Sequence, residues 1–226
     1  MADRSRRYQR CRQKVDREAS YPLDEAVSLV KSMTHADFDE TVELHVQLGI
    51  DPRQSDQQVR GNIALPHGVG KTRTICVFAE GESAEEAEEA GADYVGGDEL
   101  IERVEDGWMD FDVALAVPEM MKKIGRLGRY LGPQGLMPSP KSGTVTEDIG
   151  TAVQEFKAGK VEFRNDRGGN IHLPVGKISF STKALEENVQ AALDLLLKMK
   201  PLSAKGRYLQ KTILTSTMSP AVRLAV

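Results

Sequence analysis

Hydrophobic and polar residues follow two different periods along this chain, and each period belongs to a different region. In residues 41–50, TVELHVQLGI, the hydrophobic positions from Val42 to Leu48 alternate with polar ones. Such alternation is typical of a strand with one buried face in an antiparallel sheet. Residues 182–199 instead carry hydrophobic side chains at the spacing of one helical face. The two ends of the chain therefore predict a sheet covered by helices.

The middle of the chain has a different pattern. The runs TICVFA (74–79) and FDVALAV (111–117) are largely apolar, as expected for strands that are covered on both faces. Segments with helical spacing, such as AEEAEEA and DELIERVED, lie between and after such runs. Alternation of strands and helices predicts a parallel sheet with helices on its faces.

These two patterns predict a split organisation of the chain. Neither end has enough pattern to close a hydrophobic core alone, so we predict that residues 1–67 plus 160–226 form one α+β domain. Residues 68–159 would then be an α/β domain inserted into it.

Such an insertion requires two connecting passages, which we place near 66–72 and near 157–160. Both passages contain glycines, which can absorb large backbone rotations. We therefore predict that Gly68, Gly70 and Gly159 are hinge residues.

The first passage contains HGVGKT (67–72), whose G-K-T ending also occurs in nucleotide-binding phosphate loops. A phosphate loop begins with a glycine where this chain has Leu65, and it leads into a helix that receives the phosphate. Here the residues after Thr72 have the pattern of a strand. This spacing argues against a nucleotide site.

Charge is distributed unevenly between the two predicted domains. The chain as a whole has a formal net charge of −4. Residues 68–159 contain 9 Lys and Arg against 18 Asp and Glu, whereas the two flanks contain 21 against 16. Because one domain concentrates positive charge, nucleic acid is a plausible partner despite the acidic total.

Other functional classes have little support in the sequence. The chain has neither a G-x-S-x-G nor an H-E-x-x-H motif, its two cysteines form no C-x-x-C pair, and its four histidines are scattered. No apolar run approaches the roughly 18 residues of a membrane span. We therefore expect no enzymatic activity, no cofactor, no metal and no membrane association.

Two segments contain candidate nucleic-acid contacts. In residues 124–145, Arg126, Arg129 and Lys141 occur among glycines and prolines, which is typical of a loop that approaches phosphates or of an ordered surface loop.

The second candidate combines a predicted hairpin turn in residues 161–172 with the strand end TSTM (215–218). Arginines, hydroxyls and exposed backbone suit RNA, although a polar hairpin tip and an ordinary strand end would also explain these residues. The candidate side chains of the turn are Arg164, Asn165, Arg167 and His172.

Taken in order, several segments resemble the bacterial L-one family of large-subunit ribosomal proteins, and the resemblance covers nearly the whole chain. Its glycine-proline segment is highly specific. The matching segments are DFDETVEL (37–44), QVRGNIALPHGVGK (58–71), EEAGADYVGGDELIERVEDGWMDFD (88–112), LGRYLGPQGLMPSPKSGTV (127–145), KAGKVEFRNDRGGNIHLPVGK (157–177) and TSTMSPAVRL (215–224).

This resemblance implies a two-domain fold whose inserted domain is a Rossmann-like α/β three-layer structure. It also implies a cytoplasmic protein of the ribosome that is monomeric when free. Such a protein binds a 23S rRNA stem, forms a mobile stalk near the tRNA exit site and aids release of deacylated tRNA. The family further implies repression of translation by binding the protein's own operon mRNA.

The family also implies an RNA surface on the first domain. The residues that match its motifs there are Phe38, Glu40, Thr41, Arg164, Asn165, Thr215, Ser216, Thr217 and Met218. Three positions depart from the family's usual residues: Ser219 replaces glycine, Arg167 replaces lysine and Ser139 replaces asparagine. A serine at 219 would be strained if the backbone there required a positive φ.

Two other functions remain open at this point. The first is a nucleotide-dependent enzyme that uses the α/β domain, and Lys71 would then be essential. The second is a free RNA-binding repressor that never joins a ribosome.

Overall fold

The computed structural model describes residues 5–33 and 36–225 and divides into two compact units. The first unit combines Met1–Gly70 with Phe163–Val226, and the second is Lys71–Glu162. The mixed α/β character expected from the sequence is confirmed. That each unit is an independently folding domain stays a prediction.

The described residues form eight α-helices and nine strands. The helices are α1 (Arg6–Gln13), α2 (Leu23–Ser32), α3 (Glu82–Glu89), α4 (Asp98–Glu105), α5 (Met121–Ile124), α6 (Gly128–Gln134), α7 (Ile149–Lys157) and α8 (Thr182–Lys198). The strands are β1 (Thr41–Leu48), β2 (Arg60–Ala64), β3 (Ile75–Phe78), β4 (Tyr94–Gly96), β5 (Val113–Ala116), β6 (Lys160–Arg164), β7 (Asn170–Lys177), β8 (Leu209–Ser216) and β9 (Val222–Arg223).

A four-stranded antiparallel sheet in the order β7-β1-β8-β9 forms the centre of the first unit. The predicted alternation in β1 is confirmed, because Val42, Leu44, Val46 and Leu48 are all buried. Helices α2 and α8 pack against each other and against this sheet. The buried stripe of α8 consists of Leu185, Asn188, Val189, Ala192, Leu193 and Leu196.

The second unit contains a three-stranded sheet in the order β4-β3-β5, and its strands pair in parallel as the sequence predicts. The connection from β3 to β4 runs in the opposite direction across the sheet from the connection from β4 to β5. Because such crossovers are right-handed, α3 and α4 lie on opposite faces of the sheet. Strands β3 and β5 are buried at every position.

The structure corrects the predicted hairpin in residues 161–172. Strand β6 pairs with β2 in a separate two-stranded sheet, whereas β7 pairs with β1. Asn165 holds the first of these pairings: its backbone N–H donates to the Val59 carbonyl (3.0 Å), and its Oδ1 accepts from the Val59 N–H (2.8 Å). A short connection between two strands usually predicts a hairpin. Here β6 and β7 do not pair with each other, because each pairs with a strand that is distant in sequence.

The predicted loop of residues 124–145 also needs correction, because its first half is helical. A 3-10 turn at Gly125–Leu127 leads directly into α6, which ends where Gly135 has a φ of +75°. Ile124, Leu127 and Leu131 are fully buried at helical spacing. Burial of these side chains outweighs the low helix propensity of the intervening glycines.

The first connecting passage is fixed to the first unit by Asn188, which is fully buried on α8. Its Oδ1 accepts from the His67 N–H (3.0 Å), and its Nδ2 donates to the carbonyls of Gly68 (3.0 Å) and Val175 (2.8 Å). Gly68 and Gly70 have positive φ angles of +63° and +71°. The Gly68 carbonyl is therefore held by α8 in this structure.

Gly159, in the second predicted passage, also has a positive φ, of +105°. Left-handed backbone of this kind favours glycine. The hinge role of Gly68, Gly70 and Gly159 stays a prediction.

Candidate nucleic-acid interface

The antiparallel register brings two of the predicted RNA-contacting segments together at one end of the four-stranded sheet. Strand β1 begins at Thr41, strand β8 ends at Ser216, and Val42 pairs with Ser216. We call this end, made of residues 38–41 and 215–218 with Lys177, the TSTM end.

A buried carboxylate organises the TSTM end. Glu40 is only 1% exposed, and its Oε2 accepts hydrogen bonds from the Ser216 hydroxyl (2.5 Å) and the Met218 N–H (3.0 Å). The Glu40 carbonyl also accepts from the Ile178 N–H (2.9 Å). Because Glu40 and Ser216 are both buried, their side chains position this loop, and their contact with RNA stays a prediction.

Thr41 and Thr217 form a second set of hydrogen bonds at the TSTM end. The Thr41 N–H donates to the Thr217 hydroxyl (3.1 Å), and the Thr217 N–H donates to the Thr41 carbonyl (3.1 Å). The Lys177 ammonium donates to the Thr41 hydroxyl (2.8 Å). Sequence reasoning missed Lys177, although its place opposite Thr41 follows once β7 is paired with β1.

Two large apolar side chains are exposed at the TSTM end. Phe38 is 53% exposed and Met218 is 47% exposed, and Thr217 is exposed as well. The TSTM end therefore presents an aromatic ring, a flexible thioether and a hydroxyl on a fixed backbone.

Ser219 is accommodated without backbone strain. No described non-glycine residue has a positive φ. The Ser219 hydroxyl accepts from the Ser216 N–H (2.9 Å), and its own N–H donates to the Ser216 carbonyl (3.2 Å). The serine at this position therefore adds a hydrogen bond to the turn after β8.

The other predicted contacts gather at the opposite end of β7, in what we call the arginine turn (residues 164–170). Arg164 and Arg167 are exposed there. A surface cleft of about 630 Å³ is lined by both arginines together with Arg60 and His172. From Thr41 to Gln47, the strand β1 covers about 20 Å, so the arginine turn and the TSTM end are separate contact regions.

The Asp166 carboxylate determines the shape of the arginine turn. It accepts from the N–H groups of Gly168 (2.8 Å) and Asn170 (2.8 Å) and from the Asn170 amide. These hydrogen bonds, chiefly those from Asn170, lower the pKa of Asp166 to about 2. The turn therefore holds Arg167 in one backbone conformation as long as Asp166 is ionised.

We expect Asp166 to contribute to stability above about pH 4 and to lose that contribution as the pH falls toward 2, because its folded pKa lies below the unfolded value. Since the carboxylate is largely exposed, the loss should be less than about 1 kcal/mol. Urea unfolding at pH 4.5 and 2.5 would measure it.

In the same experiment, Asp166→Asn should lose less stability than the native protein on acidification, whereas Asp56→Asn, at an exposed position, should behave like the native protein. Equal losses in all three proteins would contradict this role of Asp166.

Two histidines lie on the sheet face between the two contact regions. The Nδ1 atoms of His45 and His172 are 2.8 Å apart, so one ring donates a proton and the other accepts it. Burial and then the neighbouring His172 lower the pKa of His45. The pair joins β1 to β7 through side chains; the sequence predicted only His172, as an RNA contact, and not its pairing with His45.

Among the described residues, the predicted RNA contacts of the second unit, Arg126 and Arg129, are exposed and are not joined by a shared set of hydrogen bonds like that of the TSTM end. Arg126 forms an ion pair with Glu105 (2.9 Å), and Arg129 is exposed on α6. The side chain of Lys141 lies outside the part of the chain that is described. Ser139, Ser142 and Thr144 form a hydrogen-bond network that closes the turn of residues 139–144.

The G-K-T residues do not form a nucleotide site in the second unit. The Lys71 ammonium donates to Asp112 (2.6 Å), and this hydrogen bond is the main reason that the pKa of Asp112 is lowered. Asp112 precedes β5, whereas ligands of open α/β sheets bind at the carboxyl ends of the strands.

The described residues contain neither a group of metal ligands nor a helix that could span a membrane. Within 5–33 and 36–225, no three His, Cys, Asp or Glu side chains are grouped as metal ligands. In that same part of the chain, every helix is too short or too polar to cross a membrane.

These features place the chain among the mixed α/β proteins in which an α/β unit interrupts a unit made by both chain ends. Comparison with known sequences gives the family: the chain belongs to the Ribosomal protein L1p/L10e family, whose model matches residues 30–220.

Two relatives cover almost the whole chain. The chain is 56% identical over 224 residues to the large ribosomal subunit protein uL1 of Kosmotoga olearia, covering 99% of this chain and 97% of the relative. It is 53% identical over 224 residues to the protein of the same name from Lactiplantibacillus plantarum, covering 99% and 98%. Both relatives are named as ribosomal proteins, which confirms the expectation that this chain is not an enzyme.

Proposed function

We propose that this protein is a cytoplasmic component of the large ribosomal subunit that binds a 23S rRNA stem through its first unit. The observation that carries this proposal is the TSTM end, where the buried Glu40 holds the backbone of Met218 and where Phe38, Thr217 and Met218 are exposed. The names of the two relatives support the ribosomal assignment.

Recognition would rest on shape and on contacts to sugars and phosphates. Phe38 and Met218 offer apolar surface to unstacked bases or riboses, and the Thr217 hydroxyl can bond to a 2′-OH. Arg164 and Arg167 would bind phosphates on the same RNA, about 20 Å away along β1. Glu40, Thr41, Asn165 and Ser216 would act mainly by holding these groups in place.

The finer roles implied by the family resemblance belong to the same proposal. The protein would form a mobile stalk near the tRNA exit site, aid release of deacylated tRNA and repress its own operon mRNA through a similar RNA structure. Arg126, Arg129 and Lys141 are the candidate RNA contacts of the second unit. Gly68, Gly70 and Gly159 would be the hinges that permit motion of the stalk.

Filter binding to purified 23S rRNA, with 16S rRNA as the control, would test this proposal. We expect preferential binding to 23S rRNA, with the logarithm of the affinity falling linearly with the logarithm of salt concentration because phosphate contacts release counterions. Binding that prefers neither RNA, or that does not weaken with salt, would contradict the proposal.

Sedimentation with large ribosomal subunits adds a second readout to that experiment. We expect the protein to co-sediment with the subunits. A protein that binds its own mRNA but never co-sediments would be a free repressor.

A further inference from the structure

The N-terminal helix α1 carries an unusual concentration of positive charge. Its sequence RRYQRCRQ contains Arg6, Arg7, Arg10 and Arg12, and Lys14 follows immediately. Residues 5–15 contain no Asp or Glu. The sequence resemblance assigned no role to this segment.

The charge of this segment equals that of the whole first unit. Met1–Gly70 and Phe163–Val226 together contain 20 Lys and Arg against 15 Asp and Glu, a net charge of +5. The five cations between Arg6 and Lys14 account for the same value. The remainder of the first unit is therefore neutral overall, and its net positive charge is located at α1.

The helix is electrostatically unfavourable on its own. Arg6 and Arg10 are exposed one turn apart, and like charges at this spacing destabilise a helix. Arg6 and Arg7 also lie in the first turn, where the helix dipole disfavours cations. Within the described part of the chain, no carboxylate forms an ion pair with Arg6, Arg10 or Arg12. An external polyanion would relieve this repulsion.

Contacts with α2 fix the position of α1 on the first unit. Cys11 is the buried residue of α1, and Val15, just beyond its end, is buried too. The Cys11 thiol donates to the Met33 carbonyl (3.4 Å), and the Lys14 ammonium donates to the Ser32 carbonyl (3.1 Å). The opposite side of α1, with Arg6 and Arg10, therefore faces solvent.

The same end of α2 is connected to the TSTM end. The Lys31 ammonium donates to the Phe180 carbonyl. The neighbouring Ser179 donates through its N–H (3.1 Å) and hydroxyl (2.7 Å) to the carboxylate of Asp39, which precedes Glu40. A continuous set of contacts thus joins α1 to the backbone that carries Phe38.

We propose that α1 is a further RNA-contacting element, in which Arg6 and Arg10 bind phosphates of the same RNA that the TSTM end holds. This inference rests on the proposed function. Guanidinium groups bind phosphate oxygens in a forked, bidentate geometry, so arginine suits this role better than lysine. The helix would extend the RNA surface beyond the sheet and supply most of the electrostatic attraction.

Binding of the Arg6→Gln, Arg10→Gln double variant to 23S rRNA tests the inference. Glutamine has nearly the helix propensity of arginine, so α1 should be retained. We expect binding about tenfold weaker at 0.15 M salt, and a salt dependence whose slope is reduced by about 1 to 2. Far-UV circular dichroism and the melting temperature would show that the fold is unchanged.

The matched control is Lys198→Gln with Lys205→Gln, which removes two exposed cations from the same unit at the end of α8 and the loop after it. We expect its affinity to change less than twofold. Equal weakening in both double variants, or no weakening in the α1 variant, would overturn this inference and leave the proposed function standing. Failure of the native protein to bind 23S rRNA would overturn the proposed function and this inference with it.

Discussion

Replacing Met218 with aspartate is expected to weaken binding to 23S rRNA by about 100-fold, which corresponds to about 2.7 kcal/mol. The thioether is 47% exposed at the TSTM end, so an aspartate there would face the RNA backbone in the proposed complex. Like charges juxtaposed across an interface cost several kcal/mol. Because the side chain is half exposed and the Met218 N–H keeps its bond to Glu40, the fold should remain intact.

Leu202→Asp is the matched control, since it makes the same change of charge at a fully exposed leucine of the same unit. It should leave the affinity nearly unchanged. Filter binding at fixed salt, together with the melting temperature of each variant, would measure both effects. If Met218→Asp bound as tightly as the native protein, the TSTM end would not be the RNA surface.

Replacing Glu40 with alanine is expected to lower the free energy of unfolding by about 3 kcal/mol and to weaken RNA binding as well. The loss follows because the Ser216 hydroxyl and the Met218 N–H would both lose their charged acceptor inside the protein. Without that acceptor, the backbone that presents Thr217 and Met218 would no longer be fixed. Urea unfolding and filter binding would measure the two effects separately.

Two further variants distinguish a positioning role from direct contact with RNA. Glu40→Gln keeps an acceptor oxygen, so it should recover most of the RNA affinity while remaining less stable by about 1 kcal/mol. Glu43→Ala removes a partly exposed carboxylate from β1, the strand that follows Glu40, and should cost less than about 1 kcal/mol. Full stability of Glu40→Ala would contradict the structural role that we assign to this residue.

Local periodicity was sufficient to predict most of the regular structure. The alternation in β1, the continuous burial of β3 and β5, and the hydrophobic stripe of α8 all appear in the structure as the sequence indicated. The pattern of each element follows from how it is covered: β1 and α8 bury one face, whereas β3 and β5 are buried on both.

The errors in the sequence-based predictions occurred where distant partners outweigh local signals. Residues 161–172 have the composition of a hairpin, yet β6 and β7 pair with different strands because Asn165 bonds to Val59. The glycines after Ile124 suggested a loop, yet buried Leu127 and Leu131 hold the segment in a helix. The first error arose because the partner of Asn165, Val59, is distant in sequence. The second arose because local composition does not show that Leu127 and Leu131 are buried in the core.

The sequence by itself determined the period of each element, the separation of an acidic middle from basic ends, and the motifs by which the family resemblance was recognised. Only the tertiary structure decided which of the predicted site residues are available at the surface. Glu40 and Ser216 resemble surface contacts in the sequence, but the pairing of β1 with β8 buries them and leaves Phe38, Thr217 and Met218 exposed. Strand register, which depends on long-range pairing, sets which side chains face inward.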